Sequence, residues 1–360
     1  MKILILGGTG AMGRHLVRIL ASQGHELHVT SRNRSGLEGG VKYIRGNAHN
    51  PEFMASLLSQ RWGAIVDFMV YTTTEFQQRY EQLLEATEQY IFVSSARVYA
   101  DSAAPIKENS PRLLDIAEDT HYLKTDEYAL AKARQEDLLF ASSQNNWSII
   151  RPYITYDDER LQLGVLEKED WLYRALQSRT IVTAKDIQAK RTTLTSGEDV
   201  SRALAALIGQ ESALGEAFHI TCDHNLTWRD VTDCYTLTLE RNGYKPRVVE
   251  QELAQFLEWR SGKYQVLYDR MYDRIFDNRK INQFIDTASF TAPKEGLRQC
   301  LERFLNNKPY SFKMPNWREE ALKDRVTGER ASWVEPKGGK QKIKYSLFRI
   351  MPKAGRGLVR

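Results

Sequence analysis

Thiols, membrane-length apolar runs and, in one region, acids are scarce in this chain. Its only cysteines, Cys222, Cys234 and Cys300, fit neither a disulfide framework nor paired metal-ligand spacing. The seven histidines are equally scattered, so no metal site is expected. No apolar stretch reaches transmembrane length, and the N-terminal apolar residues read as a strand rather than a leader. A cytoplasmic protein with no membrane insertion is the expectation. From Pro336 to Arg360 there are eight Lys and Arg and no acid. Over residues 311–360 thirteen basic residues face five acidic ones, a net +8, so the rest of the chain carries −3 of the overall +5. Nucleic-acid proteins usually carry their basic excess on the folded body, so the global charge gives no reason to expect a nucleic-acid partner.

What the chain does have is concentrated in its first thirteen residues. The apolar run Ile3-Leu4-Ile5-Leu6 meets Gly7, Gly8 and Gly10, then Gly13, after which Met12, Leu16, Val17 and Leu20 recur at helical spacing. A buried strand, a tight turn and a helix in that order open a dinucleotide-binding βαβ unit. Glycines permit the turn, the approach of backbone N–H groups to a pyrophosphate and close helix–strand packing. Gly7, Thr9, Gly10, Met12 and Gly13 are therefore candidate cofactor-binding residues.

The second strand, His25 to Thr30, ends in the basic loop Ser31-Arg32-Asn33-Arg34. An NAD site normally places a carboxylate there for the ribose 2′-hydroxyl. Its absence, with Ser31, Arg32 and Arg34 in its place, suits a 2′-phosphate, so NADP is preferred over NAD. A third strand, Val41 to Ile44, leads to Asn47 and Ala48 at the adenine edge. Further strands read at 64–70, 90–93 and 147–150, with a helix at 75–88 between the first two. Alternating strands and helices predict an α/β fold with a Rossmann-type, doubly wound parallel sheet.

Chemistry in such a sheet gathers at the C-terminal strand ends. The strand ending at Val93 runs into Ser94-Ser95-Ala96-Arg97-Val98-Tyr99. A helix beginning near Thr125 then carries Tyr128 and Lys132 four residues apart, on one face. Tyrosine is a poor base at neutral pH, and a neighbouring ammonium stabilises its phenolate.

With these motifs in place, the chain resembles the extended short-chain dehydrogenase/reductases, in the NAD-dependent epimerase/dehydratase branch of the UDP-glucose 4-epimerase type. The resemblance covers about residues 1–305. It rests on Gly7-x-x-Gly10-x-x-Gly13, Ser94 to Tyr99, Tyr128-x-x-x-Lys132 and Ile150-Arg151-Pro152, with Gly197 to Val200, Phe276 to Lys280 and Glu295 to Leu297 further on. It implies Ser95, Tyr128 and Lys132 as catalytic residues, with Tyr128 as general acid/base and Lys132 also holding the nicotinamide ribose. It implies a nucleotide-activated sugar as substrate, and a homodimer through helices near 75–88 and 125–144. Dehydratases of the branch carry an acidic pair before Val-Tyr; Ala96-Arg97 stands here, which disfavours dehydration. An epimerase or a reductase remains, and NADP preference suits the reductase.

Residues 1–152 are expected to form the dinucleotide-binding domain, joined by later strands near 181–183 and 218–221. Residues 153–310 are expected to form mainly a smaller interleaved substrate lobe, with Tyr153, Thr155 and Arg191 as candidate substrate contacts beside Ser95. Residues 311–360 form a basic extension, with a helix over Asn316 to Arg325 and a short alternating strand over Lys340 to Ile350. The alternative to an enzyme is a non-catalytic NAD(P)-binding protein of the same fold that takes RNA or another partner through this extension.

Overall fold

The computed structural model describes residues 1–351; residues 352–360 of the basic extension lie outside the described residues. The chain forms two compact units. The first comprises Met1–Asp157, Thr192–Asn225 and Asp273–Pro293.

Its sheet contains β1 (Lys2–Leu6), β2 (Glu26–Ser31), β3 (Gly36–Glu38), β4 (Val41–Arg45), β5 (Trp62–Asp67), β6 (Thr87–Val93) and β7 (Trp147–Pro152), with Glu216–Ile220 at one edge. From that edge the order runs Glu216–Ile220, β7, β6, β5, β1, β2, β4, β3. All neighbours are parallel except β3, which turns back antiparallel on β4. The chain builds outward from β1 through β2 to β4, then crosses to β5 on the other side. That reversal opens a crevice at the carboxyl ends of β1 and β5, the usual ligand position in a doubly wound sheet.

The strands read as apolar runs because helices cover both faces. Ile3, Leu4, Ile5 and Leu6 are fully buried, Ile3 and Ile5 in one core cluster and Leu4 and Leu6 in the other. The first core packs helix Gly13–Ser22 through Leu16, Val17 and Leu20, and helix Gly197–Leu207 through Val200, Ala203 and Leu204.

Local structure departs from expectation in instructive places. The apolar residues Phe68 to Val70 leave the strand after Asp67 rather than continuing it. Residues 75–88 are not one helix but two short ones, Thr73–Gln77 and Tyr80–Glu85, with β6 already under way at Thr87. The break falls at Arg79, whose guanidinium leaves the helical path to bond the carbonyls of Ala48 (2.9 Å) and His49 (3.4 Å).

The second unit comprises Asp158–Arg191, Leu226–Tyr272 and the chain from Lys294 onward. Strand Ile181–Ala184, expected beside the main sheet, pairs instead with Val248–Gln251 in a separate two-stranded parallel ribbon. Helices Lys168–Leu176 and Trp228–Arg241 meet through Trp171 and Tyr235, stacked at 4.5 Å. Asn316 caps a helix at Trp317–Thr327, and Gly328 ends it at φ +71°. Gly339–Ile350 is also a helix, not the expected strand. Its local Lys/apolar alternation is overruled by Tyr345 and Phe348, three residues apart, which pack with Trp317 and Ala321. A helix also satisfies its own backbone, which a lone strand cannot.

Candidate active site

The glycine turn follows β1 directly. Gly7 adopts φ +73°, and its N–H donates to Thr30 Oγ1 at 3.1 Å, which ties the turn to the end of β2. A Cβ on Gly13 would lie 2.6 Å from the Gly8 backbone, so this glycine sets the close approach of helix and turn. A Cβ on Gly10 would meet nothing within 4 Å, which leaves the space above the turn open. Met12 supplies no side-chain cap to helix Gly13–Ser22; the Arg14 and His15 N–H groups donate to the Gly10 and Met12 carbonyls (3.1 Å each), which leaves the Gly13 N–H at the helix start facing the turn without a side-chain cap. Met12 is held from behind: its carbonyl accepts from Ser201 Oγ (2.8 Å) and its sulfur from Thr155 Oγ1 (3.7 Å).

A cleft of about 350 Å³ extends from this turn. Its walls are Gly7, Thr9 and Gly10 after β1, Thr30 to Arg32 after β2, Gly46 to His49 after β4, and Phe68 to Val70 after β5. The residues that leave the β5 strand early therefore form one wall. Ser31 is buried, and its Oγ accepts the N–H groups of Asn33 (3.3 Å) and Arg34 (3.2 Å), leaving its own proton to donate. Arg34 is engaged elsewhere, paired with Glu38 and lying over the Tyr43 ring at 3.9 Å. Arg32 is exposed at the cleft wall. Asn47 Oδ1 accepts the His49 N–H (3.1 Å), and Ala48 is buried beside it. Open space above a glycine turn, an uncapped helix start and a cation at the far wall fit a dinucleotide.

Ser94 and Ser95 part company at the end of β6. Ser94 Oγ donates to buried Glu136 at 2.6 Å, a structural bond. Ser95 is nine-tenths buried, and its Oγ accepts the Arg97 N–H at 3.2 Å. Tyr128 is the first residue of helix Tyr128–Phe140, half-buried, with Glu127 as its N-cap. Glu127 caps the Ala129 N–H (2.8 Å), accepts from Tyr122 (3.3 Å) and pairs with Arg97 at 2.6 Å. One turn along, Lys132 is 1 % exposed. Its Nζ donates to the carbonyls of Val93 (2.9 Å) and Met69 (3.3 Å), and Met69 belongs to the cleft wall. Burial lowers the Lys132 pKa to about 8, against the opposing pull of Asp67 and Glu136.

Sequence reasoning gave Arg151 no role beyond its motif. It is 2 % exposed and grips both oxygens of Glu136 (2.8 Å each) as well as the Tyr99 hydroxyl (2.9 Å). Glu136 lies four residues beyond Lys132, so this pair fixes the helix that carries both Tyr128 and Lys132. Tyr153 is buried and faces Phe276 at 5.5 Å; Thr155 is buried behind the glycine turn. Arg191 belongs to the second unit, exposed at the start of strand Arg191–Ser196. No group of three or more His, Cys, Asp or Glu that could hold a metal ion occurs among the described residues.

A doubly wound sheet with a glycine turn and a cleft at its switch point defines a dinucleotide-binding α/β protein. More specifically, residues 7–184 match the NAD(P)H-binding family model. Its fold is similar to that of UDP-glucuronic acid 4-epimerase from Bacillus cereus, solved with NAD, which aligns with TM-score 0.64 over 86 % of this chain and 100 % of that one, at 14 % identity. Among curated proteins it is 25 % identical over 243 residues to the chloroplast stem-loop binding protein of 41 kDa b of Arabidopsis thaliana (63 % of this chain, 60 % of that protein). It is 25 % identical over 238 residues to 2′-dehydrokanamycin reductase of Streptomyces kanamyceticus (64 % of each). The chain thus spans less than two thirds of the length of these relatives.

Proposed function

We propose that this protein is an NAD(P)-dependent oxidoreductase or epimerase acting on a nucleotide-activated sugar, with the reductase form favoured. The observation that carries the reading is the Lys132 ammonium, buried against the ends of β5 and β6, one helical turn from Tyr128 and touching the wall of the nucleotide cleft.

Gly7, Thr9, Gly10 and the start of helix Gly13–Ser22 would hold the cofactor's pyrophosphate, Asn47 and Ala48 its adenine, and Ser31 and Arg32 a 2′-phosphate. The bound nicotinamide supplies the redox chemistry. Tyr128 passes the proton to the sugar oxygen in reduction, or removes it in oxidation. Lys132 keeps positive charge beside the phenolate that results. Ser95, whose oxygen accepts from Arg97, has its own proton free to donate to the reacting sugar oxygen and stabilise charge there. Arg32 favours NADP, a cofactor released each turnover, and so the reductase. The reductase named among the relatives supports the same direction.

The stem-loop binding relative brings the second reading, a nucleic-acid binder that uses the basic extension. Ser95, Tyr128 and Lys132 weigh against it, since a binder has no need of all three.

The test is Tyr128→Phe. NADPH binding, followed by fluorescence, is expected to persist while turnover of a keto sugar nucleotide falls by 10² or more, within the usual range for a lost proton-transfer group. Near-normal turnover would remove the mechanism. NADP rather than NAD in the co-purifying nucleotide pool would support the reductase.

A further inference from the structure

The Gly339–Ile350 helix has apolar residues on two opposite faces, and the fold uses one of them. Tyr345 and Phe348 are buried against Trp317 and Ala321, and the Tyr345 hydroxyl donates to Asp324 at 2.6 Å. At 100° per residue, Ile343, Leu347 and Ile350 fall on the far side. Ile343 and Ile350 are 70 % and 71 % exposed, and Leu347 between them is half-buried. Lys340 and Lys344 flank this ridge on one side and Lys342 on the other, while Arg349 turns back to donate to the Glu329 carbonyl at 3.0 Å. Just before the helix, Trp333 and Val334 are 56 % and 78 % exposed, and Lys342 Nζ lies 5.1 Å from the Trp333 ring centroid. No acid occurs from Pro336 onward.

We propose that this helix, with Trp333 and Val334, docks flat on an anionic lipid surface. An apolar ridge flanked by lysines on both sides is the arrangement of an interfacial helix: isoleucines and tryptophan enter the headgroup–acyl boundary, and lysines meet lipid phosphates. Charge argues against a second copy as the occupant, because a two-fold contact through this ridge would bring like rows of lysine together. Side-chain type argues against RNA, because among Trp333, Val334, Ile343, Leu347 and Ile350 only Trp333 offers a face for base stacking. The inference is independent of the role given to Tyr128.

Flotation of the full chain with vesicles decides it. The protein is expected to float with phosphatidylcholine vesicles containing phosphatidylglycerol, to stay behind with phosphatidylcholine alone, and to be released by salt. Lys344→Ala should weaken binding about fivefold, the share of one lysine at an anionic surface. Lys340→Glu with Lys344→Glu should abolish it, as should Ile343→Asp with Ile350→Asp, each variant retaining NADPH binding as evidence of folding. The proposal is overturned by failure to float with either vesicle, by equal binding to both, or by charge-reversed protein that still floats. It is also overturned if Ile343→Asp converts a dimer to a monomer in sedimentation, or if only an oligoribonucleotide binds.

Discussion

The guanidinium of Arg97 lies over the ring of Tyr128, its Cζ 5.3 Å from the ring centroid, while the backbone N–H of the same residue holds Ser95 Oγ at 3.2 Å. One residue thus connects the serine and the tyrosine, and its bond to Glu127 fastens it to the start of the tyrosine's helix. Arg97 stands where the dehydratases of the resembled branch place an acid. A partly desolvated cation over an aromatic ring contributes about 1–2 kcal/mol. Arg97→Met should therefore lower kcat about tenfold with NADPH affinity unchanged, and Arg97→Lys should recover part of the loss. Steady-state kinetics beside a binding isotherm measures both, and an unchanged kcat would show that the contact is only structural.

Lys132 sets a pH limit. Its pKa in the folded protein, about 8, lies below the ordinary value of 10.5 because burial disfavours the ammonium. The protonated form supports the tyrosine, and it is lost as pH rises through about 8. kcat/KM, which reports the free enzyme, should fall along that limb. Lys132→Arg, whose guanidinium stays charged, should flatten the limb at a lower absolute rate. The same shift acts on stability. Between about 8 and 10.5 the unfolded chain holds this proton more tightly than the folded one, so the contribution of Lys132 to stability rises with pH across that window.

The cofactor preference rests on Arg32. Arg34 is already held by Glu38 and the Tyr43 ring, so the two arginines of this loop are not equivalent. Arg32→Ala should weaken NADP binding about 10- to 100-fold, the value of a charge-assisted bond to phosphate, and leave NAD binding as it was. Arg34→Ala should change the NADP/NAD ratio little. Calorimetric titration of both nucleotides into each variant separates these outcomes.

Much of this site was legible because it is local. The glycine turn lies within thirteen residues, and Tyr128 and Lys132 share a helix face by spacing alone. What escaped was tertiary or depended on neighbours. Nothing in the sequence pairs Arg97 with Glu127, or Arg151 with Glu136, until the strands bring them together. Phe68 to Val70 look like strand because they are apolar, yet they line the cleft beside the glycine turn. Lys340 to Ile350 alternates like a strand, but the surface that Trp317 and Ala321 offer has the spacing of a helix. Ile181–Ala184 has strand character, and its partner, Val248–Gln251, lies far along the chain.

The basic extension is fastened to the second unit by buried charge, and this gives the last prediction. Arg174 is fully buried, with Nη1 at 2.9 Å from Glu320 and 2.8 Å from Asp324, and Nε bonded to the Thr180 carbonyl at 2.8 Å. Asp324 in turn accepts from the Ala331 N–H (2.9 Å) and the Tyr345 hydroxyl, so one carboxylate joins the body of the unit to both terminal helices. Such a cluster adds little net stability over apolar packing, but removing one member strands the others without solvent. Arg174→Met should therefore destabilise the second unit by about 3–5 kcal/mol. Urea unfolding followed through the tryptophans, Trp171 and Trp317 among them, would register the loss. Arg174→Lys should recover only part of it, since an ammonium lacks the fork that reaches two carboxylates and a carbonyl together. The exposed pair Lys185–Glu252, with side chains 65 % and 63 % accessible, is the control. Lys185→Ala should change stability by less than about 1 kcal/mol, because water already solvates both charges.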